Sequence, residues 1–137
     1  MLKILSEMGH GDYIVVADAH FPASSVCNRV IQYTCINAPD MIKAILQVMP
    51  LDDYVDEPIH VMSLVDSDVK KGMPTPEMWH EVWSIANKNE IFEVKMGEYE
   101  RYEFYEVSKG AYAIIQTGET RQYGNFILQK GVVKESI

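Results

Sequence analysis

The feature that most constrains the fold of this chain is the run Tyr13–Ala17, whose residues are apolar or aromatic without alternation. Such a run is typical of a short strand that is covered on both faces, as in the parallel sheet of an α/β protein. Phe21 and Pro22 stop the strand and stiffen the loop that follows it. The polar side chains of the whole stretch, which reads MGHGDYIVVADAHFP, are therefore confined to its two ends.

These two ends supply the first candidate site residues. His10 and Asp12 stand before the strand, and Asp18 and His20 stand after it. Ligands of open α/β sheets bind outside the carboxyl ends of the strands, so Asp18 and His20 occupy positions where a site is expected. We expect the chain to fold back and bring His10 to the same place. In a structural alternative, the glycines around His10 only close the preceding helix, and His10 is a helix-terminal histidine.

The rest of the chain alternates segments of helix and strand character, which favours one α/β domain over residues 1–137 with a mixed or largely parallel sheet flanked by helices. Asn37 is a candidate cap for the second helix. Trp79 and Trp83 fall at helical spacing and are expected in the core. The pattern predicts strands over 13–17, 30–36, 59–65, 91–96, 111–116 and 125–129, helices over 2–8, 38–49, 75–86 and 98–107, and a turn-rich segment over 66–74.

Composition narrows the class of partner and the compartment. The formal net charge of -8 argues against a nucleic-acid partner, because no basic stripe offsets it. No stretch approaches the ~20 apolar residues of a membrane span, and the N-terminus lacks an apolar signal core. Cys27 and Cys35 match neither a zinc motif nor a redox pair and are expected as small buried side chains. We therefore expect a cytoplasmic protein with no membrane association.

Several classes of chemistry find little support in the sequence. There is no glycine-rich phosphate loop, so a nucleotide cofactor is not expected, and no G-x-S-x-G elbow that would favour a serine hydrolase. A metal site built from His10, Asp12, Asp18 and His20 is opposed by the strand between the two pairs, because each strand residue rises ~3.3 Å. What remains is a general acid/base site for a polyhydroxylated ligand, in which histidine transfers protons and carboxylate, amide and guanidinium groups bind hydroxyls.

Tyr123, Gly124 and Asn125 fit such a site, because a phenol and an amide flank a glycine that lets a ligand approach the backbone. The alternative is a tight turn before the last strand. Taken jointly, however, MGHGD, DAHFP, RYEFYE, TGE and YGN, in this order and at these separations, closely resemble the L-fucose mutarotase branch of the RbsD/FucU sugar-mutarotase family. The resemblance covers nearly the whole chain. The ribose pyranase branch typically has glycine and leucine in place of His20 and Phe21, and alanine in place of Gly124.

The resemblance implies an α/β fold that assembles into a ring-shaped homodecamer without a metal or cofactor. It also implies an enzyme that interconverts the anomers of a monosaccharide, with L-fucose as the expected substrate. It implies that His10 matches the catalytic acid of the family. It also implies sugar-contacting roles for Asp18, Arg101, Tyr123, Gly124 and Asn125, to which we add His20 from the DAHFP motif. A ribose pyranase and a sugar-binding module without turnover are the alternatives.

Overall fold

The strand that organises the sequence, β1, lies inside a six-stranded mixed sheet. The computed structural model describes residues 1–133. The strands are β1 (Tyr13–Ala17), β2 (Val30–Tyr33), β3 (Ile59–Met62), β4 (Met96–Tyr99), β5 (Ala113–Thr117) and β6 (Phe126–Gln129). The helices are α1 (Leu2–Glu7), α2 (Ala23–Val26), α3 (Ala38–Leu46), α4 (Asp66–Lys70), α5 (Glu77–Asn89) and α6 (Arg101–Lys109).

The order of the strands across the sheet is β2-β5-β1-β6-β3-β4. β6 runs antiparallel to both of its neighbours, β1 and β3, whereas the pairs β1–β5, β2–β5 and β3–β4 are parallel. Phe126 at the start of β6 therefore lies opposite Val16 of β1 and Val61 of β3. We call this edge, where the parallel strands end and β6 begins, the carboxyl edge, and the opposite one the amino edge.

β1 is covered on both faces, as its sequence predicts. Ile14 and Val16 pack into a cluster with the buried residues of α3 and α5, while Val15 and Ala17 pack with Phe104 of α6 on the other face. Alternate side chains of a strand point to opposite faces, so a continuous apolar run is what a sheet between two helical layers requires. Full burial of a side chain such as Phe104 contributes about 1.5–3 kcal/mol.

The capping prediction is confirmed at α3. The side chain of Asn37 accepts a hydrogen bond from the backbone N–H of Asp40 at 2.9 Å, and Pro39 lies in the first turn. The apolar face of this helix then buries Met41, Ile42 and the residues that follow at helical spacing. The helix ends at Leu46, a few residues earlier than the pattern predicts.

Three strand predictions need correction. The fourth strand covers Met96–Tyr99 and not 91–96, because the alternation of residues 91–96 reflects a loop in which Val94 is buried and Ile91 is 98% exposed. The backbone N–H of Val94 donates to Asn87 Oδ1 at 2.8 Å, not to a neighbouring strand. The second and third strands also end early, at Tyr33 and Met62.

Other corrections concern burial and helices. Trp83 is 41% exposed, because α5 turns Met78, Val82 and Ala86 into the core, whereas Trp79 is partly buried and packs against the core as predicted. The segment predicted as turns contains the short helix α4.

The cysteines are less buried than expected. Cys35 is exposed and Cys27 is half-buried, and both thiols are free. Within residues 1–133, none of the helices has the length and apolar character needed to cross a membrane.

Gly118 gives a test of how tightly the sheet and its loops pack. A Cβ at this position would lie 2.1 Å from the carbonyl oxygen of Thr34, a backbone atom that cannot swing aside. We expect Gly118→Ala to lower the free energy of unfolding by about 1–3 kcal/mol, as overpacked sites do. Urea denaturation measures this change.

Gly110→Ala is the matched control. Gly110 has φ -87°, and its added Cβ would meet only the carbonyl oxygen of Val107 at 3.5 Å. Alanine fits that conformation, so the free energy of unfolding is expected to stay unchanged or rise by up to about 1 kcal/mol. Equal losses in the two variants would contradict the packing described for Gly118.

Candidate active site

A cavity of about 400 Å³ opens at the carboxyl edge of the sheet. We call it the carboxyl-edge cavity. Five of the residues singled out in the sequence line it: Asp18, His20, Arg101, Tyr123 and Asn125. They arrive from separate elements, after β1, at the start of α6 and before β6. The remaining lining residues are Met62, Val65, Asp68, Tyr105 and Gln122.

Asp18 and Asn125 form the floor of this cavity as a hydrogen-bonded pair. The backbone N–H of Asp18 donates to Asn125 Oδ1 at 2.8 Å, and Asn125 Nδ2 donates to Asp18 Oδ2 at 3.2 Å. The N–H of His20 donates to Asp18 Oδ1 at 3.0 Å. Burial raises the pKa of the Asp18 carboxyl, and the hydrogen bonds from His20 and Asn125 oppose that rise without cancelling it.

The loop between β5 and β6 is held in place by Glu119. Its carboxylate accepts hydrogen bonds from Arg121 Nε and Nη2, each at 3.0 Å, and from the backbone N–H of Ala38 at 3.2 Å. Its backbone carbonyl accepts the N–H of Ala19 at 2.8 Å. Burial alone would raise the pKa of Glu119, but the hydrogen bonds from Arg121 outweigh it and the pKa is lowered. The loop is thereby tied to the segment that carries Asp18.

Tyr123 has an unusual backbone conformation for a non-glycine residue, with φ at 63°. This conformation costs about 1–3 kcal/mol, which its surroundings must offset. Trp79 Nε1 donates to the carbonyl oxygen of Tyr123 at 3.0 Å, and the N–H of Val65 donates to its phenol oxygen at 3.1 Å. The phenol in turn donates a short hydrogen bond to the carboxylate of Asp68. Burial and this bond raise the pKa of the phenol.

Gly124 is required by packing. An added Cβ would lie 2.9 Å from Glu119 Cγ and 3.1 Å from Met78 Sδ. The glycine lets the YGN turn sit close to the loop that Glu119 holds and to α5. Its predicted contact with a sugar stays a prediction.

Arg101 is the first residue of α6, so its position follows from the start of that helix. The side chain of Glu100 caps the helix by accepting the backbone N–H groups of Tyr102 and Glu103. Arg101 Nε donates to the hydroxyl of Tyr105 at 3.4 Å. Tyr105 packs on Phe21 at 5.7 Å between ring centroids, which connects the cation to the loop after β1.

His10 lies at the amino edge, away from the cavity. It occupies a turn in which Gly11 has φ 87° and donates its N–H to the carbonyl of Lys130 at 2.9 Å. His10 Nε2 is 3.1 Å from Asp52 Oδ1, and the side chain of His10 is 46% exposed. The five residues of β1 span about 17 Å. The expected fold-back therefore does not bring His10 to the cavity within one chain.

The distance between the two ends of β1 also argues against a metal site built from the residues that flank this strand. His10 and Asp12 lie before β1, whereas Asp18 and His20 lie after it. These four side chains do not converge on one point. Among residues 1–133, no group of three or more histidine, cysteine, aspartate or glutamate side chains could hold a metal ion.

Three polar residues of the cavity escaped the sequence analysis. Asp68 lies in α4, which the pattern predicted as turns, and Gln122 lies in the loop before Tyr123. Tyr105 could have been found, because the helix predicted over 98–107 clusters Tyr99, Tyr102 and Tyr105 on one side, with Arg101 beside them. Only Tyr105 of those tyrosines lines the cavity, since Tyr99 stacks on His60 at 4.0 Å and Tyr102 is 69% exposed.

Comparison with known proteins decides the family. The RbsD / FucU transport protein family matches residues 1–133. The chain belongs to this family. Its fold class and the resemblance predicted from the five sequence motifs are thus confirmed.

Relatives in the RbsD / FucU family match almost the full chain. A human fucose mutarotase is 45% identical over 136 residues, which cover 97% of this chain and 87% of the human protein. The crystal structure of a Streptococcus pneumoniae fucose mutarotase in complex with L-fucose has 43% identity and a TM-score of 0.88, covering 97% of this chain and 91% of that one. FucU from Bifidobacterium longum has 40% identity and the same TM-score of 0.88, with 97% and 94% covered.

The pair at the floor of the cavity gives a pH-dependent prediction. Asn125→Ala removes the Nδ2 donor that favours the charged form of Asp18, so the pKa of Asp18 is expected to rise further. An acid whose pKa is raised in the folded state stabilises the fold at pH values below its ordinary pKa of 3.8. This stabilisation is lost as the pH rises through the raised pKa. In the variant, the pH range over which this stabilisation is lost should therefore extend to higher pH.

Carboxyl ¹³C NMR titration measures the Asp18 midpoint, and urea unfolding at several pH values measures the free energy. Asn89→Ala is the control, since Asn89 Nδ2 donates to the carbonyl of Leu46 and not to Asp18. An Asp18 midpoint that is the same in Asn125→Ala and in the unmodified protein would contradict the hydrogen-bonded pair.

Proposed function

We propose that this protein is a fucose mutarotase, an isomerase that interconverts the α and β anomers of L-fucose by opening and closing the pyranose ring. The observation that carries the proposal is the convergence of Asp18, Arg101, Tyr123 and Asn125 on one cavity of about 400 Å³. This volume lies within the ~300–1,000 Å³ usual for small-molecule sites. The activity named for the relatives of this chain supports the same reaction.

The reaction needs two proton transfers. A base removes the proton of the anomeric hydroxyl while an acid protonates the ring oxygen, the C1–C2 bond rotates, and the roles reverse on closure. General acid/base catalysis typically contributes ~10²–10⁴-fold, roughly 3–5 kcal/mol. Because anomers already exchange unaided in water, a site with a proton-transferring group and well-placed hydrogen bonds is sufficient.

The cavity residues divide into acceptors and donors. Asp18 and Asn125 bind sugar hydroxyls at the floor, with His20 beside them. The phenol proton of Tyr123 is committed to Asp68, and one lone pair of its oxygen accepts the N–H of Val65. The second lone pair is left to accept a hydrogen bond from the sugar. Arg101 donates to a hydroxyl or to the developing oxyanion and orients it, and Gly124 contacts the sugar through its backbone.

His10 supplies the proton-transferring imidazole from a neighbouring copy of the chain. This follows if His10 is catalytic, because it lies at the amino edge while the cavity lies at the carboxyl edge. A contact between two different edges of identical chains is heterologous, and such contacts form a ring when the rotation from copy to copy closes. We therefore propose a ring-shaped homodecamer, in agreement with the family resemblance. The free thiols of Cys27 and Cys35 fit a cytoplasmic location.

The ribose pyranase and the sugar-binding module without turnover remain the alternatives. His20, Phe21 and Gly124 favour fucose, because the ribose branch typically has other residues at these positions. Saturation-transfer NMR on L-fucose, D-ribose and D-galactose measures anomer exchange for each sugar. Exchange that is fastest for L-fucose supports the proposal, exchange fastest for D-ribose indicates the pyranase, and binding without exchange indicates the module.

His10→Ala is expected to slow catalysed exchange of L-fucose by about 10²–10⁴-fold, because general acid/base catalysis is lost. The melting temperature should change little, since the ring is half-exposed. His80→Ala is the control, because His80 lies on α5 outside the carboxyl-edge cavity. Exchange that is unchanged in His10→Ala would remove His10 from the mechanism.

The shared site can be tested by mixing subunits. His10→Ala and Arg101→Ala are each expected to be nearly inactive alone, whereas co-expressed mixed oligomers should regain about a quarter of the original activity through sites that combine two intact halves. Sedimentation velocity of the unmodified protein gives the number of copies. Mixed oligomers without regained activity would contradict a site shared between copies.

A further inference from the structure

We infer that the base of the ring opening is a relay of two residues, in which the phenol of Tyr123 takes the proton of the anomeric hydroxyl and passes its own proton to the carboxylate of Asp68. Tyr123 is then a catalytic residue. Asp68 acts through it and is a positioning residue that also receives the proton. The inference rests on the proposed function and deepens it, because ring opening needs a base as well as the acid assigned to His10.

The phenol oxygen of Tyr123 is held between two groups of one turn at the start of α4. It donates its hydrogen to Asp68 Oδ2 and accepts the backbone N–H of Val65 at 3.1 Å. Val65 and Asp68 are fixed to each other, because the N–H of Asp68 donates to the carbonyl of Val65 at 3.0 Å. The carbonyl of Asp68 in turn accepts the N–H of Met73 at 3.1 Å. The proton of the phenol therefore has one defined direction, toward the carboxylate.

This arrangement leaves one place on the phenol oxygen for a substrate. A phenol oxygen can accept two hydrogen bonds, and Val65 occupies one of these places. Val65, Asp68 and Tyr123 all line the carboxyl-edge cavity. A sugar hydroxyl that donates to the second lone pair completes a chain of two hydrogen bonds, which runs from the hydroxyl through the phenol to the carboxylate.

The choice of Asp68 follows from what its carboxylate contacts. Among residues 1–133, two carboxylates line the cavity, those of Asp18 and Asp68. The oxygens of Asp18 accept N–H donors from His20 and Asn125, which hold their hydrogens at neutral pH. Asp68 instead accepts the hydrogen of a phenol, a group that can both give and take a proton. Only the carboxylate of Asp68 is thus joined to a group able to relay a proton.

A relay also agrees with the electrostatics of the phenol. Burial raises the pKa of Tyr123, and the hydrogen bond to Asp68 raises it further, so a phenolate is not present at neutral pH. In a relay the phenol is neutral before and after the transfer, which avoids the cost of forming a full phenolate. The N–H of Val65 stabilises the negative charge that passes through the oxygen, as the donors of an oxyanion hole do.

The atoms and charges of this step balance. During opening, the O1–H bond of the sugar breaks, its hydrogen moves to the phenol oxygen, and the hydrogen of the phenol moves to Asp68 Oδ2. The electron pair of the O1–H bond forms the C1=O double bond, the C1–O5 bond breaks, and O5 takes a proton from the imidazolium of His10 of the neighbouring copy. After rotation about C1–C2, each proton returns by the same path on closure, so no co-reactant is needed.

Asp68→Asn separates proton transfer from positioning. An amide oxygen accepts the hydrogen bond of the phenol as a carboxylate does, but it does not take up the proton. Saturation-transfer NMR at several L-fucose concentrations gives kcat and KM. We expect kcat to fall by about 10²–10⁴-fold, the range of general acid/base catalysis, while KM changes by less than about twofold. Asp66→Asn, an exposed acid in the first turn of the same helix, is the matched control and should change neither value.

Two further measurements distinguish the relay from a structural role. Tyr123→Phe keeps the ring and removes the oxygen, so kcat should fall by a similar factor. The double variant with Asp68→Asn should be no slower than the slower single variant, because residues that act as a unit are not additive. Formate added to Asp68→Ala supplies a small carboxylate and should restore part of kcat, measured against the same formate without protein. It should not restore kcat in Tyr123→Phe, which lacks the phenol.

Each outcome decides a separate point. A kcat of Asp68→Asn equal to that of Asp66→Asn overturns the inference, and so does a change confined to KM. If Asp68→Asn fails to fold, an unchanged kcat in Tyr123→Phe overturns it. Loss of kcat in Asp18→Asn without loss in Asp68→Asn would make Asp18 the base. The unmodified protein still exchanges L-fucose anomers in all of these cases, whereas absence of that exchange would overturn the proposed function itself.

Discussion

The candidate site depends on the antiparallel pairing of β6 between β1 and β3. Only a strand that runs against its neighbours can begin where they end, and this brings Asn125 next to Asp18. The paired hydrogen bonds between these residues join parts of the chain that are 107 positions apart. Each buried group that lost its partner would cost about 1–3 kcal/mol, so the pairing also stabilises the end of the sheet.

A second constraint acts on Tyr123. Its left-handed backbone persists because two other segments hold it in place. Trp79 of α5 donates to its carbonyl, and Val65 and Asp68, at the start of α4, form hydrogen bonds with its phenol. The phenol is consequently oriented before any ligand arrives. Orientation of this kind reduces the entropy that binding must overcome. Met78 and Glu119 enclose Gly124 next to it, which keeps the turn close to α5.

Local sequence signals predicted the parts of this structure that depend on local physics. The burial of β1 follows from an apolar run without alternation, and the start of α3 follows from the hydrogen-bonding capacity of Asn37. The cavity residues after β1 and before β6 were identified because the polar groups are concentrated there. The place of β4 was missed, since the alternation of residues 91–96 mimics a strand while pairing with β3 decides the register.

Other features could not be predicted from neighbouring residues. The exposure of Trp83 depends on how α5 is rotated against α3, and the contact of Asp68 with Tyr123 joins residues 55 positions apart. The distance between His10 and the cavity is set by the direction of β1, which places the two polar ends of one motif at opposite edges. Sequence proximity alone suggested one site, whereas His10 and the cavity are apart within a single chain.

The direction of β1 has a consequence for how catalysis would scale with the amount of protein. If each chain contributes its imidazole at one edge and its sugar cavity at the other, an isolated chain has no complete reaction centre. Turnover then belongs to the contact between copies and obeys mass action. Specific activity would fall on dilution below the dissociation constant of the assembly, even though every chain remained folded.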